Sequence, residues 1–111
     1  TLRQPLRPAH YVIADAGVDT VPCAPYCTYG TRKLAEAAVK AIGDSNAVLL
    51  ANHGMLACGG SLAGAYSLAC GMEFCAEVEY RARTIGNPVY LSAEEMAEVL
   101  ESFKSYGQPK R

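Results

Sequence analysis

Val48-Leu49-Leu50-Ala51-Asn52-His53-Gly54-Met55-Leu56-Ala57-Cys58-Gly59 sets two apolar runs on either side of a polar Asn-His-Gly turn. Short apolar runs bounded by turn residues read as core strands, here Ala47 to Ala51 and Met55 to Cys58, joined by a tight connection. The connection carries a histidine to the end of a buried strand. Gly54 beside it allows a left-handed backbone or the close approach of something bulky. Two readings of His53 stand open. It is a core histidine satisfied by one hydrogen bond at a hairpin turn, or a rigidly held imidazole of the kind a metal ligand or catalytic base requires.

Outward from this hairpin, the chain alternates helix signals with turn signals. Upstream, Thr31 is a good N-cap, and Leu34, Ala37, Ala38, Ala41 and Ile42 recur at helical spacing until Gly43. Asp44-Ser45-Asn46 then turns into the first strand. Thr20 to Thr28 reads as extended, and Pro22 and Pro25 confine it to a sheet edge or an ordered loop. Pro8 to Gly17 suits a short helix ended by Gly17. Downstream, Gly59-Gly60 closes the second strand and Ser61 caps a long helix from Leu62 to about Ile85. The first half of that helix, Leu62 to Ala76, is apolar nearly all round and is expected to lie buried between the sheet and a neighbour. Glu77, Glu79, Arg81 and Arg83 then read as a helix emerging into solvent. Gly86-Asn87-Pro88 stops it. Ser92 with Glu95 forms a capping box for a last helix, Ala93 to Lys104, with Met96, Val99, Leu100 and Phe103 on one face. The order of elements gives a mixed α/β layer structure with a small sheet.

Composition narrows the function classes. Half of the 111 residues are hydrophobic and 19% are charged, which suits one globular domain and not a disordered segment. The net charge is −1 and no Lys/Arg run exceeds two residues, so neither nucleic acid nor an anionic membrane is the expected partner. Leu62 to Ala76 is interrupted by Gly64, Gly71 and Glu73 and is too short to span a bilayer. The five cysteines form no C-x-x-C pair, and Cys23 and Cys27 have no second pair to complete a zinc site. They read as reduced thiols of a cytoplasmic protein. The start at Thr1-Leu2-Arg3-Gln4-Pro5 lacks the apolar core of a signal peptide. With no initiator methionine, it reads as the beginning of a piece of a larger protein.

The chemistry-bearing residues are few. His10 and His53 are the histidines, and neither belongs to an H-x-H or H-E-x-x-H arrangement. A divalent metal site needs three or more protein ligands, so these residues supply one or two of them. No phosphate-cradling G-x-x-x-x-G-K occurs. Seven tyrosines against two phenylalanines add hydroxyls that donate protons. Tyr11, Tyr26, Tyr29 and Tyr106 lie near element ends, where each is either a half-buried surface ring or an active-site group.

His10-Tyr11-Val12-Ile13, the segment Val21-Pro22-Cys23-Ala24-Pro25-Tyr26-Cys27-Thr28-Tyr29-Gly30-Thr31, Leu49-Leu50-Ala51-Asn52-His53-Gly54 and Glu101-Ser102-Phe103-Lys104-Ser105-Tyr106-Gly107 together resemble the class II aldolase/adducin family. Four separated motifs match in order over nearly the whole chain. The resemblance implies an α/β layered fold with a small, mostly antiparallel sheet packed by helices. It also implies that residues 1–111 are the C-terminal portion of a single domain of that family. In the family three histidines hold a zinc ion, and His53 matches the third. The H-x-H pair, the catalytic carboxylate and the phosphate-binding loops lie earlier in family members and are absent from these residues.

The activity implied is cleavage of a ketose 1-phosphate, of the L-fuculose 1-phosphate type, to dihydroxyacetone phosphate and an aldehyde. Zinc there stabilises the enediolate left when the carbon–carbon bond breaks. Tyr11 matches a tyrosine that a neighbouring subunit supplies for proton transfer, and Tyr106 matches a C-terminal tyrosine that closes over the substrate. Phe103 and Tyr29 match aromatic positions at the aldehyde end, Tyr29 standing where a member carries phenylalanine. Family members form fourfold rings with active sites between subunits, which implies a homotetramer. Sister activities on the same scaffold are a pentulose-phosphate 4-epimerase and a deoxy- or methylthio-ribulose phosphate aldolase. A non-catalytic adducin-like interaction module is the remaining alternative. Tyr11 after His10, with Tyr106, favours the aldolase branch.

Overall fold

The computed structural model describes residues 1–104, so Tyr106 lies outside the described residues. A 3₁₀ helix, Tyr11–Ala16, follows an extended N-terminal arm and ends at Gly17, whose φ of 81° is the left-handed stop expected there. Strand β1 (Cys23–Ala24), helix α1 (Arg32–Ile42), strands β2 (Ala47–Leu50) and β3 (Gly54–Ala57), helix α2 (Leu62–Ile85) and helix α3 (Ala93–Phe103) complete the order.

Local chemistry explains the helix starts. The Thr31 hydroxyl accepts the Leu34 amide at 3.2 Å and Ser61 accepts that of Gly64 at 3.0 Å, satisfying donors a first turn leaves open. Ser92 and Glu95 close the full reciprocal capping box, at 3.1 and 2.9 Å. Gly59 has a different task. A Cβ there would come within 2.7 Å of the Ala65 amide nitrogen, so glycine lets the end of the sheet pass against the first turn of α2.

The sheet runs β1-β2-β3. β2 is central, pairing parallel with β1 (Cys23 opposite Leu49) and antiparallel with β3 (Val48 opposite Leu56). The sheet is therefore mixed, its antiparallel pair the longer one. Pro22 and Pro25 flank β1 at the edge, where missing amides cost no ladder bond. Ile13, Val21, Val48, Met72, Cys75 and Met96 are the largest fully buried side chains. All but Val48 join one core cluster, which with Ala47 draws the 3₁₀ helix, the central strand, α2 and α3 together.

Helix α2 departs from its sequence reading in both halves. Leu62 and Tyr66 are 88% and 71% exposed, and Phe74 is also exposed. A single stripe, Leu68, Met72, Cys75 and Glu79, turns inward. α2 packs on the 3₁₀ helix, β2 and β3, which leaves Leu62, Tyr66 and Phe74 exposed among the described residues. In the charged half, Glu79 is buried because the arm and the segment before α3 close over it.

Candidate active site

The β2–β3 connection is built around Asn52. Its φ of 55° is left-handed, a region asparagine tolerates better than most residues. Gly54 has no positive φ, and a Cβ on it would meet nothing within 4 Å. The conformational demand anticipated at Gly54 thus falls two residues earlier. The turn closes with the His53 amide donating to the Leu50 carbonyl at 3.0 Å. His53 itself is exposed, and its imidazole has no hydrogen-bond partner among the described residues. That removes the reading of a buried, satisfied core histidine.

Two side chains border the turn. Arg3 Nε donates to Asn52 Oδ1 at 2.7 Å, and its guanidinium sits 5.5 Å over the Tyr26 ring. Behind them lies a groove of about 680 Å³ between the N-terminal arm, the ends of β1 and β2, and the C-terminal half of α2. Arg3, Cys23, Leu49, His53, Tyr80 and Arg83 line it. It offers one imidazole beside arginines, and no group of three or more His, Cys, Asp or Glu side chains comes together among the described residues. The exposed imidazole suits a metal ligand, but a complete site needs ligands from beyond these residues.

A second groove, about 850 Å³, lies between the 3₁₀ helix and α3. Tyr11 and Phe103 meet here edge-to-face, with ring centroids 6.3 Å apart. His10 stacks on Tyr11 at 4.6 Å, and the edge of Phe74 meets His10 at 5.0 Å. His10 Nδ1 accepts the Val12 amide at 3.1 Å, so a neutral imidazole carries its proton on Nε2. Glu95 and Glu98 add carboxylates to the α3 wall, beside Val99 and Ser102. Tyr11 is half exposed.

The structure thus brings Tyr11 and Phe103 together and places His53 in a different groove. Tyr29, 78% exposed beside the start of α1, lines neither. A buried polar cluster goes unmarked in the sequence reading. Glu79 accepts the Arg7 amide at 2.9 Å, the Tyr90 hydroxyl at 2.8 Å and Arg83 Nη2 at 2.6 Å. The four-residue spacing of Glu79 and Arg83 marks a helical ion pair, but nothing local marks its burial.

The family model described as class II aldolase and adducin N-terminal domain matches residues 1–80. An L-fuculose phosphate aldolase of Escherichia coli K12 is 46% identical over 99 residues, covering 88% of this chain and 46% of that protein. A 5-deoxy-D-ribulose 1-phosphate aldolase of Bacillus thuringiensis serovar kurstaki is 45% identical over 98 residues, with coverage of 88% and 46%. A solved structure of L-fuculose 1-phosphate aldolase superposes with a TM-score of 0.90 at 46% identity, over 93% of this chain and 48% of that one. The chain spans about half the length of the curated relatives it matches.

Proposed function

The chain belongs to the class II aldolase and adducin family, and on that footing we propose that residues 1–111 are the C-terminal portion of a metal-dependent aldolase domain that cleaves a ketose 1-phosphate to dihydroxyacetone phosphate and an aldehyde. The observation that carries this reading is the exposed imidazole of His53, unpartnered among the described residues and held by a left-handed turn between two paired strands. Such a group has the rigidity and accessibility of a ligand. His53 would be one of the histidines on a zinc ion, whose chemistry is to polarise substrate oxygens and stabilise negative charge.

The remaining roles fall to this chain's own side chains. Tyr11 donates or accepts the proton at the aldehyde-side oxygen. Phe103 and His10 pack against its ring and fix the direction of the hydroxyl. Tyr29 lines the aldehyde end, and Tyr106 closes over the substrate. His53 and Tyr11 line separate grooves, which supports active sites completed between subunits of a homotetramer, one subunit supplying the histidine and the next the tyrosine. We place the enzyme in the cytoplasm, in keeping with five unpaired cysteines and no helix, among the described residues, long and apolar enough to cross a membrane.

Two sugar phosphates compete as substrate, because relatives named for L-fuculose phosphate and for 5-deoxy-D-ribulose 1-phosphate are similar at nearly the same identity. The full-length protein, supplied with each sugar and a dihydroxyacetone phosphate-dependent dehydrogenase, is expected to release dihydroxyacetone phosphate from at least one of them. Release should stop on chelation of divalent metal. Isomerised pentulose phosphate without dihydroxyacetone phosphate would replace the aldolase by an epimerase. A protein with neither turnover nor bound metal would replace it by an interaction module.

A further inference from the structure

We infer that Glu79, Arg83 and Tyr90 form a latch that positions the His53 turn by holding the N-terminal arm against it. Glu79 is 4% exposed, and both carboxylate oxygens are occupied. Burying a carboxylate is costly unless it is paired and hydrogen-bonded, so its place calls for an explanation that helix packing does not give. Its partners come from three separate segments. Arg83, one turn along α2, meets Oε2 at 2.6 Å. Tyr90, before α3, donates to Oε2 at 2.8 Å and accepts from Arg83 Nη2 at 3.3 Å. The backbone amide of Arg7, in the arm, donates to Oε1 at 2.9 Å.

The same cluster reaches further along the arm. Arg83 Nη1 donates to Gln4 Oε1 at 3.0 Å. One residue earlier, Arg3 turns with a φ of 54° and places its Nε 2.7 Å from Asn52, the left-handed residue next to His53. A path of hydrogen bonds, joined by the Arg3–Gln4 peptide link, therefore runs from the buried carboxylate through the arm to the turn. The Leu6–Val21 bridge, at 2.9 Å in each direction, ties the arm to the start of β1 independently of the latch. These are positioning residues. None needs to touch a substrate, and the inference rests on the aldolase reading only in taking His53 as the group the turn presents.

Amide hydrogen exchange on the full-length protein tests the path. Glu79→Gln keeps the shape of the side chain and removes the charge that holds Arg83. We expect exchange at the Arg7 amide and across residues 49–55 to quicken by about tenfold. The Leu6 and Val21 amides and the middle of α2 should keep their protection. Arg3→Ala should quicken residues 49–55 by a similar factor, and the double variant should go no further than either single one, as members of one path do. Where Glu79→Gln does not fold, Tyr90→Phe removes one hydroxyl and is read by the same criteria. Unchanged exchange over residues 49–55, a uniform rise along α2, or effects of Glu79→Gln and Arg3→Ala that multiply would each overturn the latch. No amide in this set depends on turnover, so loss of the aldolase reading would leave the result standing.

Discussion

Replacing Asn52 and Gly54 in turn tests which residue bears the strain of the histidine-bearing connection. At a φ of 55°, alanine in place of Asn52 keeps the Cβ clash that asparagine already bears and loses the short polar side chain that eases the left-handed conformation, about 0.5–1 kcal/mol. It also loses the hydrogen bond from Arg3, an exposed contact for which about 0.5–1 kcal/mol is appropriate. Asn52→Ala should therefore cost about 1–2 kcal/mol. Asn52→Gly loses the bond but not the backbone freedom, and should cost about 1 kcal/mol or less. Gly54→Ala meets neither penalty, since its φ is not positive and its added Cβ touches nothing within 4 Å. A gain of about 0.4–1 kcal/mol from the stiffer unfolded chain is the expected outcome. Urea unfolding of the full-length protein, with midpoints compared at constant slope, ranks the three. A Gly54→Ala loss equal to that of Asn52→Ala would refute the assignment of the left-handed residue.

Tyr11→Phe removes the hydroxyl proposed to transfer a proton while keeping the ring that meets Phe103 and His10. It should lower kcat by about 10²–10⁴-fold with metal content unchanged, and near-normal turnover would remove Tyr11 from the mechanism. Cys75 gives a pH test. Burial, reinforced by the charge of Asp15, pushes its thiol up to about 11 from an ordinary value of 9.0. The folded state thus favours the neutral thiol. Stability is complete below about pH 9 and falls between 9 and 11, by up to about 3 kcal/mol from this group. Denaturation midpoints across that range should fall less steeply in Cys75→Ala, and an equal slope would contradict the shift. In native thiol labelling at pH 8, exposed Cys58 and Cys70 should react fast and Cys75 slowly. Equal rates would show that Cys75 is not enclosed.

What can be read from the chain alone follows the range of the forces involved. Thr31, Ser61, Ser92 with Glu95, and Gly17 act within four residues of themselves, and each does in the structure what its local chemistry implies. The hairpin around His53 is legible for the same reason, although its left-handed residue is Asn52 and not Gly54. Contacts between distant segments are not legible. Leu62, Tyr66 and Phe74 are as apolar as Leu68 and Met72, and only the position of the sheet decides which row is covered. Glu79 carries the sequence signature of a solvated helix face, and its burial depends on Arg7, 72 residues away. Tyr11 and Phe103 meet through the packing of α3 on the 3₁₀ helix, which no spacing rule could anticipate.

The central claim is that His53 is a metal ligand of an aldolase, and the bound metal of the full-length protein tests it most directly. Elemental analysis of the purified protein, before and after His53→Ala, requires no substrate to be identified. The exposed position of His53 lets the variant fold, with circular dichroism and midpoint as controls. About one zinc or other divalent ion per chain in the parent protein, lost in a folded His53→Ala variant, is the predicted result. Equal metal content in the two proteins would contradict the assignment of His53 and the function proposed from it.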